Sequence, residues 1–303
     1  MRLLNVLACS AAVALAGCAT RVPQPVAASS LPAPSACADD PEWADPTTPR
    51  HIYGNTWYVG TCAISVILIA TPQGHVLIDA GPSNAAASVV ANIRALGLRP
   101  TDVRYLLGSH EHMDHAGATA ALQQATGATV IARAPAAATL RRGQSDRSDP
   151  QLLDLKSFPA VAQVREIHDG EQVTLGGLQL TAHATPGHSP GSTSWTWTSC
   201  EAGRCQRMVY ADSLSALSDD VYRYTDETTS PGAVATFRHT LMTVAALPCD
   251  ILMTPHPSAS DLFERLEHSA DAPLIDTGAC AAYAAYAGTK LDERLAKERA
   301  KAP

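Results

Sequence analysis

The segment Ser109-His110-Glu111-His112-Met113-Asp114-His115-Ala116-Gly117 packs three imidazoles and an aspartate into six residues. An apolar strand-like run, VRYLLGS, leads into it, and a helix-like run, AGATAALQQATG, leads away. A loop at such a junction can fold several side chains toward one point. His110 and His112, two apart, face the same side of an extended segment. Asp114 and His115 then turn toward a neighbouring position. Imidazole and carboxylate together suit zinc, which is four-coordinate in most protein sites. One compact segment can therefore serve two adjacent metals.

Two further histidines sit in matching contexts. His188 lies in Thr185-Pro186-Gly187-His188-Ser189-Pro190-Gly191, a tight turn after a strand, and His256 lies in Thr254-Pro255-His256-Pro257 at the end of DILMT. In both, a strand delivers a histidine at its C-terminal end, and Pro or Gly stiffens the turn. His110, His112 and His188 would hold one zinc, and Asp114, His115 and His256 a second. Three protein ligands each leave an open position, as catalytic zinc requires. His51, His75, His168, His183, His239 and His268 read as structural or surface residues.

The rest of the chain alternates strand-like and helix-like runs. IYGNTWYVG, CAISVILIAT and HVLIDAG are strand-like. AAASVVANIRALG is a helix that Ser83 would cap and Gly97 would close. ATVIA is a short strand, and residues 143–163 form a long polar loop of the kind that often carries function. EQVTLGG pairs with LQLTAHATPG, and STSWTWTSC with CQRMVYADS, as hairpins. A helix over Ala233–Ala246, the strand DILMTPH and two amphipathic helices follow. The simplest layout is one domain of two packed sheets with helices outside.

Arg2 and the apolar stretch Leu3–Ala16 read as a signal-peptide core, too short to span a bilayer comfortably. Leu15-Ala16-Gly17-Cys18 resembles the lipobox of bacterial lipoproteins, in which Cys18 would be lipidated. An ordinary signal peptide cut near Ala16 or Ala19 is the alternative. Residues 19–36, rich in Pro, Ala and Ser, read as a tether, and residues 37–303 as the catalytic domain. Export, to the periplasm or to the outer membrane through a lipid, suits the six remaining cysteines, Cys37, Cys62, Cys200, Cys205, Cys249 and Cys280, an even number that points to disulfides. Only Cys200 and Cys205 are near neighbours, across what looks like a hairpin turn. The formal net charge of −7 and the lack of a long basic run argue against a nucleic-acid partner. A monomer is expected.

The pattern His110-x-His112-x-Asp114-His115, preceded by Leu77-Ile78-Asp79-Ala80-Gly81 and followed by His188 and His256, resembles the metallo-β-lactamase superfamily over roughly residues 37–300. The resemblance is strongest to the class B, subclass 3 (dizinc) β-lactamases. It implies an α/β fold, the αββα four-layer sandwich, and two zinc ions on the six ligands above. It implies that Ser213 and Ser215 hold the antibiotic's carboxylate, that Gln151 contacts substrate, and that Cys249–Cys280, Cys37–Cys62 and Cys200–Cys205 are bridged.

The activity implied is hydrolysis of the β-lactam amide of penicillins, cephalosporins and carbapenems by a metal-bound hydroxide that Asp114 helps orient, giving antibiotic resistance. No Ser-x-x-Lys motif is present, which argues against the serine route. One rival is another ester, thioester or lactone hydrolase on the same fold. In that branch an aspartate near Asp212 bridges the metals. Another is a non-catalytic zinc-binding envelope lipoprotein.

Overall fold

The computed structural model describes residues 24, 27, 31, 33, 35–267 and 272–300. The signal segment, Cys18 and His268 lie outside the described residues. Two sheets form the centre. The first orders seven strands as they follow in the chain: β1 (Arg50–Tyr53), β2 (Thr56–Tyr58), β3 (Ile67–Thr71), β4 (Gly74–Ile78), β5 (Val103–Leu107), β6 (Thr129–Arg133) and β7 (Val164–Ile167). It is antiparallel from β1 to β4 and parallel from β4 to β7. The second contains β8 (Gln172–Leu175), β9 (Leu178–Ala184), β10 (Thr193–Glu201), β11 (Arg204–Tyr210) and β12 (Ile251–Met253), ordered β12-β11-β10-β9-β8.

Three separate cores show how the layers stack. Ile67, Ile69, Val76, Ile78 and Leu107 of the first sheet meet Leu180, Trp195, Met208 and Ile251 of the second in the central core. The strands are β-branched on that face because a two-sided buried sheet packs branched side chains well. Alternate residues, Leu68, Leu77, Leu106 and Val130, point outward and pack under Val89, Ile93 and Leu122. These come from α1 (Ala86–Ala95) and α3 (Thr119–Thr126), which cover the first sheet with α4 (Ala134–Arg142). Val209 and Leu252 point out of the second sheet against Phe237, Leu241 and Leu291 of α5 (Ala233–Ala246) and α7 (Ala279–Ala300). Helix, sheet, sheet, helix is the expected αββα sandwich. No helix among the described residues is long and apolar enough to cross a membrane.

Both hairpins form as read, and the second closes on Ala202 and Gly203, each with positive φ. Three local expectations differ. Ser83 does not cap α1: a turn from Pro82 to Ala85 leads the chain in, so the cap position falls on Ala85 and carries no side-chain bond. Helix begins inside the histidine cluster, as the short α2 (Met113–Ala116), rather than after it. Residues 134–142, given no element by sequence pattern, form α4. The last helices are the short α6 (Leu262–Leu266) and α7.

All three bridges are present: Cys37–Cys62, Cys200–Cys205 and Cys249–Cys280. Cys200 and Cys205 face each other in the β10–β11 register. Cys249–Cys280 joins the entry of β12 to the first turn of α7, across the core beneath the second sheet. It spans 31 residues, so Cys249→Ser with Cys280→Ser should lower unfolding free energy by about 3–4 kcal/mol on the chain-entropy model. Urea unfolding measures this, and thiol titration of the unreduced domain should find none of the six cysteines free.

Candidate metal centre

Strand direction decides where the histidines meet. β4 and β5 run parallel, and β9, β11 and β12 share one direction because β10 is antiparallel to both of its neighbours. The C-terminal ends of these five strands therefore open on one rim. Asp79 follows β4, His110 follows β5, His188 follows β9, Asp212 follows β11 and His256 follows β12. The two sheets are also tied at this rim by Thr193 N to Ser109 O (2.7 Å), Trp195 Nε1 to Gly108 O (3.0 Å) and Ser65 N to Pro255 O (2.8 Å).

The rim holds two clusters. In the first, the rings of His110, His112 and His188 lie 4.7–4.9 Å apart by centroid, all buried. In the second, Asp114 Oδ2 lies 3.0 Å from His115 Nε2 and 3.3 Å from His256 Nε2, and the two nitrogens are 3.3 Å apart. His256 is the ligand candidate most open to solvent, with 36% of its side chain exposed, so this cluster sits at the mouth. His115 also stands beside His110, ring centroids 4.4 Å apart, which joins the clusters.

Each imidazole of the first cluster is fixed through the nitrogen that faces away from the centre. His110 Nδ1 donates to Asp212 Oδ1 at 2.7 Å, His112 Nε2 to Asp149 Oδ2 at 3.0 Å, and His188 Nδ1 to the Ser215 carbonyl at 2.9 Å. These acceptors select the tautomer and leave His110 Nε2, His112 Nδ1 and His188 Nε2 for a cation. His110 Nε2 is buried and has no hydrogen-bond partner among protein atoms.

The electrostatics agree with that assignment for His188 and His110; at His112 burial would lower the ring, but its bond to Asp149 outweighs that and raises it. Burial, with His110 and His112 adding to it, pushes His188 down to about 3. Burial does the same to His110, helped by His115 and His112, and holds it well below the ordinary imidazole value. Both rings are thus neutral and offer lone pairs, as a metal ligand must. Burial would raise Asp114, but contact with His115 and His256 outweighs it and keeps the carboxyl well below its usual range.

Two buried carboxylates brace the frame. Glu111, between the two histidines of the motif, accepts from Ser189 Oγ (2.8 Å) and Gly191 N (2.8 Å), so the His188 turn is pinned directly to the His110–His112 segment. A Cβ on Gly191 would come within 2.4 Å of that carboxylate, which is why the turn needs glycine there. Asp79 adopts φ 65°, unusual for a non-glycine residue. It accepts from Ser109 N (2.6 Å), Ser109 Oγ (2.7 Å) and the Tyr210 hydroxyl (2.7 Å), joining the ends of β4, β5 and β11.

The remaining predicted residues also have places. Ser213 is buried just past β11. Ser215 lies against His188, its hydroxyl 3.0 Å from Nδ1. Gln151 stands in the long loop with its backbone N–H on Asp149 Oδ1 (2.9 Å), and its amide nitrogen is buried without a protein partner. Asp212 is fully buried behind His110. His183 bonds Thr196 Oγ1 on the adjacent strand (2.8 Å), away from the rim clusters.

A model of the metallo-β-lactamase superfamily matches residues 59–201. A metallo-β-lactamase from Novosphingobium pentaromativorans, MIM-1, is 52% identical, with a TM-score of 0.82 over 86% of this chain and 94% of that one. MEM-A1, a subclass B3 metallo-β-lactamase from a soil metagenome library, is 45% identical, with a TM-score of 0.83 over 86% of this chain and all of that one. The chain belongs to the metallo-β-lactamase superfamily. A hydroxyacylglutathione hydrolase of Anaeromyxobacter dehalogenans is 34% identical over 130 residues, but that match spans only 43% of this chain and 40% of the relative.

Membership of the superfamily makes the rim clusters a candidate metal site. The sequence pattern of this superfamily points to the ligand candidates but not to Asp149 or to the role of Glu111, since neither has a motif of its own. Asp149 is 37 residues from the imidazole it meets. Its only sequence signal is its place in the long loop. Asp149→Ala frees the His112 ring to rotate, and should weaken zinc affinity roughly 10–100-fold while leaving the fold intact. Competition with a chromophoric chelator measures that loss.

Proposed function

We propose that this protein is a dizinc β-lactamase of the B3 type, acting on penicillins, cephalosporins and carbapenems and thereby conferring resistance. The observation that carries the reading is the pair of adjacent clusters, His110–His112–His188 and, next to it, Asp114 and His115 with His256, on a chain that aligns over nearly the full length of B3 enzymes. The donor set fits zinc. Tetrahedral zinc with bonds of about 2.0–2.1 Å separates its ligand atoms by about 3.3 Å, and Asp114, His115 and His256 present theirs 3.0–3.3 Å apart. His110, His112 and His188 would hold the first ion and Asp114, His115 and His256 the second. Bound there, the ions would supply Lewis acidity toward the lactam carbonyl and make water acidic enough to act as nucleophile near neutral pH.

The chain's own groups do the rest. Asp114 uses one carboxylate oxygen toward His115 and His256. Its other oxygen can accept a hydrogen bond from the attacking water and so orient it. Ser213 and Ser215 can donate to the substrate carboxylate, directly or through water. Because the Ser215 carbonyl also holds His188, removing its hydroxyl leaves that support in place. Gln151 can present its amide from the loop above. The three disulfides support an exported, periplasmic setting for the proposal, with lipidation at Cys18 as the anchor.

What favours a lactam over a lactone or thioester is Asp212. Its Oδ1 is taken up by His110 Nδ1 at 2.7 Å, which commits that oxygen to holding the ring. A thioesterase reading keeps some support from the hydroxyacylglutathione hydrolase match.

Purified protein should contain about two zinc ions, and exhaustive chelation should abolish hydrolysis of a penicillin and a carbapenem until zinc is restored. Faster turnover of an acyl-homoserine lactone or a glutathione thioester than of either drug would overturn the assignment. Asp114→Ala should cost more in kcat than His188→Ala at saturating zinc. Ser213→Ala with Ser215→Ala should raise KM for penicillins more than it lowers kcat, because the lost contacts are largely uniform binding.

A further inference from the structure

Two loops flank the centre, and each is tied to a different ligand candidate. The first, residues 143–163, holds His112 through Asp149 and carries Gln151. The second, which follows β11, holds His188 through Ser215. Neither belongs to a sheet: the first is tied to α4 by Val161 N to Leu140 O (2.8 Å), and the second to α7 by Leu214 N to the Tyr283 hydroxyl (3.3 Å).

One buried carboxylate links the two loops directly, beside the Arg147 guanidinium that lies 5.7 Å from the centre of the Tyr222 ring. Asp219, on the second loop, has a side chain only 1% exposed. Its Oδ1 accepts from Val221 N (2.9 Å) and Tyr222 N (2.8 Å), closing its own turn. Its Oδ2 reaches across to the first loop, accepting from Leu153 N (3.1 Å) and pairing with the Arg147 guanidinium (2.8 Å). Asp219 N–H donates to the Pro150 carbonyl (2.9 Å), so backbone and side chain both cross the gap. Arg147 donates in turn to the Asp149 carbonyl (2.6 Å), the residue that supports His112. The clasped segments also carry Leu153, Leu217 and Val221, apolar side chains 56–65% exposed. Exposed apolar groups on the two loops that support His112 and His188 are available to meet an apolar substituent of a bound substrate.

We propose that Asp219 is a positioning residue for the reaction: it fixes the spacing of the two loops and so sets how tightly the acyl side chain of a β-lactam is held. The proposal rests on the β-lactam reading above. It differs from a purely structural role in what it moves. A structural carboxylate sets stability, whereas the clasp sets ground-state binding with the metal clusters unchanged.

Asp219→Asn separates the two arms. The carboxamide oxygen can keep the Val221 and Tyr222 amides, while its NH2 cannot accept from Leu153 or pair with Arg147. With two zinc equivalents retained, KM for a penicillin bearing a large apolar acyl group should rise roughly tenfold, about 1.4 kcal/mol, with kcat within about threefold. Amide exchange at Leu153 should quicken while exchange at Tyr222 holds. Arg147→Ala, a change at a half-exposed side chain, should shift KM the same way by a smaller factor, and it keeps the test alive should Asp219→Asn fail to fold. Unchanged KM and unchanged Leu153 exchange in both variants would overturn the proposal, as would a lowered Tm with KM unmoved. If the parent protein turns over no β-lactam, the activity reading falls, and Leu153 exchange alone then decides whether the clasp exists.

Discussion

An imidazole can bind a cation only through a nitrogen that carries no proton, so each ligand ring must hand its one proton to an acceptor on its other side. The centre depends on that constraint. His110, His112 and His188 meet it with three different acceptors, Asp212, Asp149 and the Ser215 carbonyl, which stand 102, 37 and 27 residues away in the chain. Each acceptor belongs to a different segment from the ring it serves. The rings therefore cannot take their places until β11, the long loop and the segment after β11 have taken theirs. Tautomer choice, a property of single protons, is settled by tertiary structure.

Such an arrangement concentrates buried charge, which costs free energy unless it is hydrogen-bonded. Burial raises Asp79 to about 6 even though Ser109, Tyr210 and His115 counter it. Glu111 and Asp212 are likewise raised, burial being the largest cause in each. Glu111 meets Ser189 and Gly191, Asp79 meets Ser109 and Tyr210, and Asp212 meets His110 through Oδ1 while its Oδ2 has no protein donor among the described residues. The stabilisation that offsets this cost comes from the three apolar cores. They hold the strand ends in place whether or not the polar rim is satisfied.

The fold and the ligand candidates were legible in sequence because both leave periodic or clustered signals. The helix read around Ala233–Ala246 is α5. The hairpins fall at their glycine turns, and the proposed ligands lie on turns just beyond strand ends or, for Asp114 and His115, in the short α2. What stayed hidden has a common cause. α4 reads APAAATLRR, and its buried face is mostly alanine and threonine, with Leu140 its one large apolar residue. The apolar side chains are small and the segment is short, and Pro135 looks like a loop residue until it is seen at the start of a helix. Ser83 looks like a cap because sequence cannot show the turn between Pro82 and Ala85. Glu111, Asp149 and Asp219 are single carboxylates, each with a partner 37–80 residues away that joins distant segments. An acidic residue in a loop carries no local mark that distinguishes a solvated charge from a buried acceptor.

The same geometry says where substrate choice can vary on this scaffold. The ligand candidates come from strand ends and the short α2, which the cores immobilise, so the clusters can be shared by hydrolases with different substrates. The loops are free of the sheets, and in principle they are the part that can change. Yet Asp149 and Ser215 belong to those loops and support His112 and His188 at the same time. A loop cannot be exchanged here without also supplying a new acceptor to a ligand ring. Variation that keeps residues 149 and 215 in place can reshape the mouth through Leu153, Leu217 and Val221 at little cost to the centre. Variation that moves either residue alters metal affinity before it alters specificity. Asp212 sits outside this coupling, since it follows a core strand and serves His110 alone. Any chemistry that recruits Asp212 Oδ1 would take from His110 Nδ1 the acceptor that fixes its tautomer.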